Sequence, residues 1–391
     1  MDLNEASTSR AGTVLHFTPS VGGGGAEAML CNLVDAMSGG PWRNVVVAVK
    51  TGTPGCQAAR MRQVADAFYD LDSPALLRPA LFKKLLAIIR AEKPDIVQTW
   101  MHHADFVGGL AARLCGVKHV VWGIHSRAIF RWPGDSDVKF ALFNAAVRAA
   151  SLAVPRRIVS CSKTAIADHA SMGFPRGKME FIANGICTRR FHPSVEAGVK
   201  TRNALGIPLD APVVGFVGRF HPVKHLKLFF RAAALLQKQM PHTHFVMSGG
   251  SPETLDEEAR AAFEALPDRA AVHFLPFNAA TESVYPAFSV FTLCSESEAL
   301  PMTVLEAMAC GVPCVTTDVG DCANVIADTG LTVPPGDAPA LAGAWKQMLT
   351  ADSSLRNTLS QRARERIERH FSITHAAEQY QQTYRSLMLA R

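Results

Sequence analysis

Short apolar runs alternate with amphipathic segments along both halves of the chain. In the first half, continuous β-branched runs predict buried strands, and apolar residues spaced three or four apart predict helices between them. The predicted strands are residues 14–17, 45–49, 96–100, 119–122 and 157–161, and helices are predicted to begin near Ala26, Pro79 and Ala104. Short apolar strands joined through helices favour a parallel sheet that is covered on both faces.

The pattern is interrupted at residues 184–212, where an Asn-Gly pair, prolines and few apolar residues predict a linker with one short helix. The alternation then restarts. The predicted strands are Val213–Val217, 243–247, Val272–Leu275, Val290–Leu293 and 313–316, with helices from about His225, at 301–309 and at Ile373–Leu389. This pattern predicts an α/β protein with two Rossmann-like parallel-sheet domains facing a central cleft, where ligands commonly bind at strand ends.

Composition supports a two-domain globular protein. The 391 residues are too many for one ordinary core, and 48% hydrophobic with 19% charged residues argues against disorder. The net charge of +6 suits an anionic substrate or a membrane surface and is weak evidence for nucleic acid. The nine cysteines contain no CxxC pair, and the sequence has neither an apolar signal core nor a run that could span a bilayer. We therefore expect a cytoplasmic protein with reduced thiols, at most resting on the inner face of a membrane, with no nucleic-acid partner.

Two glutamates, Glu298 and Glu306, lie eight positions apart in the segment 295–314. Glu298 follows a predicted strand, and Glu306 falls off the apolar stripe of the next predicted helix. A solvated helix face would explain Glu306. In the alternative interpretation, both carboxylates accept sugar hydroxyl groups, and the free amides at the helix N-terminus between them bind a phosphate or sugar oxygen. Spacing alone leaves both interpretations open.

Arg219 and Lys224 stand five residues apart, just after the predicted strand Val213–Val217. At a strand-to-helix turn, an arginine fork and a lysine point charge can converge on one diphosphate. Two ordinary surface cations are the commoner outcome for an isolated pair. A position at the carboxyl end of a strand nevertheless favours an anion site.

Two further features lie in the first half. The glycine run 22–25 would let the backbone approach a ligand and would open a helix whose amides face it. It also fits a loose dinucleotide fingerprint, but the second strand ends without the acid that a nicotinamide enzyme needs, so an oxidoreductase is disfavoured. His125 directly follows a strand, which favours a ligand contact, although a lone histidine is more often structural. No carboxylate near His125, or near His102 and His103, has ligand-like spacing, so no metal site is predicted.

On these motifs, the chain resembles the family of retaining GT-B glycosyltransferases, which includes many bacterial polysaccharide and lipopolysaccharide enzymes. The resemblance extends over nearly the whole chain. Its elements are the Glu298-x7-Glu306 pair, the sequence GRFHPVKH at 218–225, Gly-Gly-Ala-Glu at 24–27, and the Asn184-Gly185-Ile186 turn before Phe191. The chain departs from the family pattern at Cys187, where an aspartate is usual, and after Glu298, where Ala-Leu-Pro replaces a glycine-rich triplet.

The resemblance implies a role for each matching residue. Arg219 and Lys224 would neutralise the donor diphosphate, Glu306 would accept from ribose hydroxyls, and Glu298 would hold the transferring sugar. His125 would touch that sugar from the other domain, and the amides of residues 24–25 would close over the phosphates. The implied catalytic residues are Arg219, Lys224, Glu298 and His125, and the implied donor-binding residues are Glu306, Gly24, Gly25, Ala299, Leu300 and Thr303.

The enzyme implied by this resemblance is a retaining, metal-independent glycosyltransferase without a cofactor. A nucleotide diphosphate sugar, with UDP expected as the nucleotide, would donate a hexosyl or N-acetylhexosaminyl group to a saccharide or lipid-linked saccharide in cell-surface polysaccharide synthesis. Residues 1–193 would form the acceptor-side domain, 194–370 the donor domain, and 371–391 a helix packing back on the first domain. Two alternatives stay open: a sugar-nucleotide epimerase of the same fold, and a non-catalytic nucleotide-sugar-binding protein.

A membrane-borne acceptor is suggested by the loop 126–133, SRAIFRWP, which mixes Arg127 and Arg131 with Trp132. Basic residues gain about 1 kcal/mol each near an anionic surface, and tryptophan favours the membrane interface. The segment 76–93 has a similar composition, but its wide apolar stripe is more typical of burial on a sheet. With a soluble acceptor, the aromatic residues of the loop would stack on sugar rings instead.

Overall fold

The computed structural model describes residues 11–51, 57–129, 131, 136–277 and 280–390. The chain divides into two compact units, Met1–Gly185 with Ile373–Arg391, and Ile186–Ser372. The predicted domains ended at residues 193 and 370, whereas the units divide after residues 185 and 372. The second unit begins this early because the Ile186 N–H already donates to the Phe371 carbonyl at 2.8 Å, within that unit.

The first unit is built on a parallel sheet with helices between its strands. Its strands are β1 (Gly12–Ser20), β2 (Trp42–Lys50), β3 (Ala67–Asp70), β4 (Ile96–Thr99), β5 (His119–Ile124), β6 (Arg157–Ser160) and β7 (Met179–Phe181). Its helices are α1 (Gly25–Met37), α2 (Ala58–Val64), α3 (Pro79–Glu92), α4 (His102–Leu114), α5 (Asp137–Ala153), α6 (Lys163–Ser171) and, at the end of the chain, α15 (Ile373–Leu389). The strand order is β3-β2-β1-β4-β5-β6-β7, and every pairing is parallel.

Burial on both faces explains the composition of these strands. In β2, the consecutive residues Val45, Val46 and Val47 have no exposed surface. Because successive side chains point to opposite faces of a sheet, both faces must be covered, as is usual for parallel sheets. The last helix supplies part of this cover: Tyr384 is fully buried, and its hydroxyl donates to Gln98 Oε1 at 3.4 Å.

The second unit repeats the architecture. Its strands are β8 (Val213–Val217), β9 (His244–Ser248), β10 (Val272–Leu275), β11 (Val290–Leu293), β12 (Cys314–Thr317) and β13 (Leu331–Val333). Its helices are α7 (Val195–Ala204), α8 (Leu226–Gln237), α9 (Glu257–Glu264), α10 (Thr281–Val284), α11 (Met302–Ala309), α12 (Cys322–Ile326), α13 (Ala338–Thr350) and α14 (Ser353–His370). The strand order is β10-β9-β8-β11-β12-β13, and the pairings are again parallel. From β8 the chain proceeds towards one edge of the sheet, and from β11 it proceeds towards the other.

The predicted strands are all present, and Val213–Val217, Val272–Leu275 and Val290–Leu293 have the predicted ends. The predicted linker contains one short helix, α7. Strand β3 was not predicted. Its four residues are only partly buried, and so short a segment shows no clear pattern of apolar residues.

A pair of glycine substitutions in the second unit should have opposite effects on stability. Gly249, just after β9, has φ +140°, and a Cβ there would lie 1.9 Å from the Gly218 carbonyl oxygen. Gly249→Ala should therefore cost about 1–3 kcal/mol. A Cβ on Gly343, inside α13, would meet nothing within 4 Å, so Gly343→Ala should add about 0.5–1 kcal/mol. Urea unfolding followed by circular dichroism measures both changes, and equal stability of the two variants would contradict this packing.

Candidate active site

The carboxyl ends of β8 and β11 define the candidate site of the second unit. These two strands are neighbours, and the chain connections from them run in opposite directions along the sheet. Ligands of open α/β sheets bind at such a reversal, outside the carboxyl ends of the strands. The loop after β8 carries Arg219 and Lys224, and the loop after β11 carries Glu298.

Lys224 and Glu298 are in direct contact across these two loops. The Lys224 Nζ lies 2.6 Å from Glu298 Oε1, and Ser295 Oγ donates to the same oxygen at 2.7 Å. The backbone joins the loops as well, because the Glu296 N–H donates to the Val223 carbonyl at 2.9 Å. Glu298 Oε2 has no hydrogen-bond partner among the described residues, so it can accept a bond from a ligand.

Arg219 provides an unmatched positive charge on the same turn as Lys224. Its side chain is exposed, and it forms no ion pair with any residue that the structure describes. An arginine fork in this state can bind two oxygens of one phosphate. The turn itself is fixed, since the Gly218 N–H donates to the Ser248 carbonyl at 2.9 Å.

Glu306 lies partly buried in the second turn of α11 and is held by a tyrosine. The Tyr285 hydroxyl donates to Glu306 Oε2 at 2.7 Å. Burial raises the pKa of Glu306 to about 7, and the charge of Glu282 adds to this effect. The Tyr285 hydrogen bond and the charge of Arg190 act in the opposite direction. Within the described residues, Glu306 is hydrogen-bonded to Tyr285 and forms no hydrogen bond with Lys224 or Glu298.

The N-terminus of α11 follows directly after Glu298. Pro301 precedes the helix and no side chain caps its first amides in the described chain. The Ala299 carbonyl accepts a hydrogen bond from the Asp321 N–H at 3.0 Å, which fixes the backbone between Glu298 and the helix. Ala299 and Leu300 are buried, and Thr303 is half-buried in the first turn. The amides predicted to bind the donor therefore lie on a rigid segment next to the Lys224–Glu298 pair.

His125 belongs to the first unit, where it follows β5. Its ring stacks on Trp100, with 4.9 Å between the ring centroids and an interplanar angle of 17°. Burial lowers the pKa of His125 to about 4, partly offset by the side chain of Asn184, so the ring is neutral at physiological pH. Its predicted contact with the transferring sugar stays a prediction.

The other predicted residues of the first unit are partly engaged by neighbouring side chains. Gly24 precedes α1, and a Cβ there would lie 2.1 Å from Glu27 Oε2, so a carboxylate occupies the helix end where Gly24 and Gly25 were predicted to meet phosphates. Arg127 pairs with Asp168 at 2.7 Å and Arg131 with Asp137 at 2.8 Å. Trp132 lies outside the described residues.

The histidine pair at the start of α4 is explained by packing. His102 Nε2 lies 2.7 Å from His169 Nε2, and the His103 ring stacks on Phe143 with 4.5 Å between ring centroids. Burial lowers the pKa of His102 well below its usual range. Among the described residues, no group of three or more His, Cys, Asp or Glu side chains could hold a metal ion.

Sequence reasoning missed three polar residues that position others. The Tyr285 hydroxyl donates a hydrogen bond to Glu306, which lies 21 positions later in the sequence. The Ser295 hydroxyl donates to Glu298, three positions later. In the first unit, Asp105 Oδ1 accepts from the Thr99 hydroxyl at 2.6 Å and from the Gly123 N–H at 3.2 Å, which joins the ends of β4 and β5. An acid in the first turn of α4, directly after β4, was the available signal for Asp105, whereas Tyr285 carried none.

Two family sequence models match the chain. The model described as Glycosyl transferases group 1 matches residues 199–366, and that described as Glycosyltransferase Family 4 matches residues 23–190. The chain belongs to the group 1 glycosyltransferases. These matches confirm the predicted group 1 family and show that the protein is a glycosyltransferase, whereas retention of configuration stays a prediction.

Individual proteins are similar to this glycosyltransferase over most of their length. It is 28% identical over 320 residues to EpsF of Bacillus subtilis, covering 78% of this chain and 79% of the relative. It is 24% identical over 312 residues to an Escherichia coli UDP-Gal:alpha-D-GlcNAc-diphosphoundecaprenol alpha-1,3-galactosyltransferase, covering 77% of each chain. Anabaena HepE, solved in complex with UDP-glucose, has a TM-score of 0.80 at 20% identity, covering 96% of this chain and 100% of HepE. The structural likeness confirms the predicted GT-B fold class with two Rossmann-like parallel-sheet domains.

Replacing Glu306 of this glycosyltransferase should change how stability depends on pH. The raised pKa means that the folded state holds the proton more tightly than the unfolded state, so the contribution of Glu306 to stability is lost as pH rises towards about 7. Glu306→Gln keeps an acceptor for Tyr285 and removes this titration. The Tm of the variant minus that of the wild type should therefore increase between pH 5 and pH 8. A difference that stays constant over this range would show that Glu306 is not perturbed.

Proposed function

We propose that this glycosyltransferase moves a sugar from a nucleotide diphosphate sugar to a saccharide or lipid-linked saccharide, with retention of anomeric configuration and with UDP as the nucleotide. The observation that carries the donor assignment is the arrangement after β8 and β11. There, the Lys224–Glu298 pair adjoins the N-terminus of α11, which no side chain of the described residues caps. Arg219 lies on the same turn as Lys224 and forms no ion pair with any described residue.

The cations and amides of this arrangement suit a leaving diphosphate. Cleavage of the bond to the anomeric carbon leaves growing negative charge on the diphosphate, and each preorganised donor that stabilises such charge is worth about 2.7–4 kcal/mol in well-studied enzymes. Arg219 can bind two phosphate oxygens. Lys224 has three N–H donors, so it can bind a phosphate oxygen without releasing Glu298.

Glu298 is proposed to hold the transferring sugar. Lys224 and Ser295 both bind Oε1, which leaves Oε2 for a sugar hydroxyl group. A carboxylate that is ion-paired and hydrogen-bonded is a weak nucleophile, so we infer front-face transfer rather than a covalent intermediate on Glu298. The leaving phosphate would take the proton of the acceptor hydroxyl, and the configuration would be retained.

Glu306 is proposed to accept hydrogen bonds from the ribose hydroxyls. Tyr285 fixes one of its oxygens and so orients the other. The related proteins support UDP as the nucleotide, because HepE was solved with UDP-glucose and the Escherichia coli relative is named for UDP-Gal. The transferred group is proposed to be a hexosyl or N-acetylhexosaminyl group.

The proposed acceptor is a lipid-linked saccharide used in cell-surface polysaccharide synthesis. The name of the Escherichia coli relative specifies a diphosphoundecaprenol-linked acceptor. Such an acceptor stays at a membrane, so the enzyme would meet it there. Within the described residues, no helix is both long and apolar enough to cross a membrane, so a peripheral contact is proposed.

Removing either cation should lower turnover while the fold survives. Arg219→Ala and Lys224→Ala should each reduce the rate of UDP release from a UDP-sugar by roughly 10²-fold, because each loses one donor to the diphosphate. Arg269→Ala is the matched control, since Arg269 is also exposed in the second unit. Calorimetry with UDP should show weaker binding in the first two variants only. Near-wild-type turnover in both would exclude the proposed donor site.

Transfer should continue in excess EDTA. Metal ions often neutralise a leaving diphosphate, and in this site Arg219 and Lys224 are proposed to do so instead. Initial rates with and without chelator provide the measurement. A loss of activity that Mg²⁺ or Mn²⁺ restores would contradict metal independence.

A further inference from the structure

Helix α5 of the first unit presents an apolar face to the surface. The exposed apolar residues recur three or four positions apart, as they do along one stripe of a helix. The stripe consists of Val138, Ala141, Leu142, Ala145, Ala149 and Leu152. Val138, Leu142 and Leu152 are 68%, 66% and 59% exposed, so this face is largely uncovered among the described residues.

The opposite face of α5 is largely apolar as well, although it includes the buried Ser151. Val147 is fully buried in the core of the unit, and Phe140 and Phe143 pack against the same core. A helix that is apolar on both sides is normally enclosed, whereas a helix at the surface normally turns charged and polar residues outwards. Contiguous apolar patches on a monomer often mark an interaction site. The outward face of α5 therefore fits a partner with an apolar layer.

Positive charges border this face. Lys139 and Arg148 are exposed and, at 100° per residue, lie on opposite sides of the apolar stripe. Arg156 and Arg157 are exposed just beyond the end of the helix. Asp137, the acidic residue of α5, is ion-paired with Arg131 at 2.8 Å. The border is therefore cationic overall.

Further cations crowd the C-terminal end of α5. Arg113 Nε donates to the Val154 carbonyl at 2.9 Å, and Lys178 Nζ donates to the Leu152 carbonyl at 2.6 Å. Burial lowers the pKa of Lys178, and the charges of Arg113 and Arg156 lower it further. This mutual repulsion would be relieved by an anionic partner.

We propose that the outward face of α5 docks on an anionic lipid surface. The apolar stripe enters the headgroup layer, and the bordering cations bind lipid phosphates. The proposal rests on the proposed function, since a lipid-linked acceptor would hold the enzyme at a membrane. A second copy of the chain fits less well, because a two-fold contact would bring identical cationic borders together.

The test is co-sedimentation of the full chain with vesicles of phosphatidylglycerol and phosphatidylcholine, with pure phosphatidylcholine as the neutral reference. Leu142→Glu combined with Leu152→Glu places two anions on the apolar stripe. Val195→Glu combined with Leu209→Glu is the matched control in the second unit, where these residues are 86% and 57% exposed. Because all four positions are exposed, both variants should fold, which circular dichroism checks.

Wild type and control should sediment with the anionic vesicles, and the α5 variant should partition at least about tenfold less. Binding to neutral vesicles should be weaker, and salt should weaken binding to the anionic ones. A wild type that stays in the supernatant at low salt would overturn the proposal, as would an α5 variant that binds like the control. A wild-type dimer in light scattering that the α5 variant dissociates would also overturn it, in favour of a second copy.

Calorimetry with UDP separates this proposal from the donor site. UDP affinity is measured without vesicles and should be equal in wild type, control and α5 variant. A wild type that binds vesicles but not UDP would support the α5 surface and contradict the proposed donor site. A wild type that binds UDP but not vesicles would support the donor site and contradict the α5 surface.

Discussion

The ion pair between Lys224 and Glu298 joins the two loops on which the proposed donor site depends. Each loop leaves the carboxyl end of a parallel strand, and the neighbouring positions of β8 and β11 bring these ends together. A backbone hydrogen bond from Glu296 to Val223 holds the same loops, so the pair rests on a fixed frame. A largely buried ion pair is weak evidence of a stabilising role, and the placement of this one fits the proposed contact with a diphosphate sugar.

Burial sets the protonation of several polar groups in both units. It raises the pKa values of Glu306 and Asp105 to about 7 and lowers that of His125 to about 4. Each shift favours the neutral form, because removing a charge from water is costly. In the second unit, Lys224 pairs with Glu298, and Arg219 forms no ion pair with any residue that the structure describes. This arrangement suits a reaction that needs stabilisation of a leaving anion more than a strong base.

Helix α5, at the surface of the first unit, has an exposed apolar face that needs an explanation. Helix α5 buries one apolar face and exposes another, and the cations along its border have few acidic partners nearby among the described residues. The sequence loop first suspected of membrane contact contains Arg127 and Arg131, whose charges are already matched by Asp168 and Asp137. The helix that follows that loop exposes an apolar stripe, and the cations Lys139 and Arg148 on it form no ion pair with any described residue.

The sequence by itself determined the two parallel sheets, because buried β-branched runs leave few other arrangements. It also determined the candidate residues Arg219, Lys224, Glu298 and Glu306, because their types and spacing suit a diphosphate sugar. Only the tertiary structure decided which of them touch: Glu298 contacts Lys224, whereas Glu306 contacts Tyr285, 21 positions away. Only the fold left one face of α5 uncovered. Contacts between distant residues depend on strand order and helix packing, and local periodicity carries no record of either.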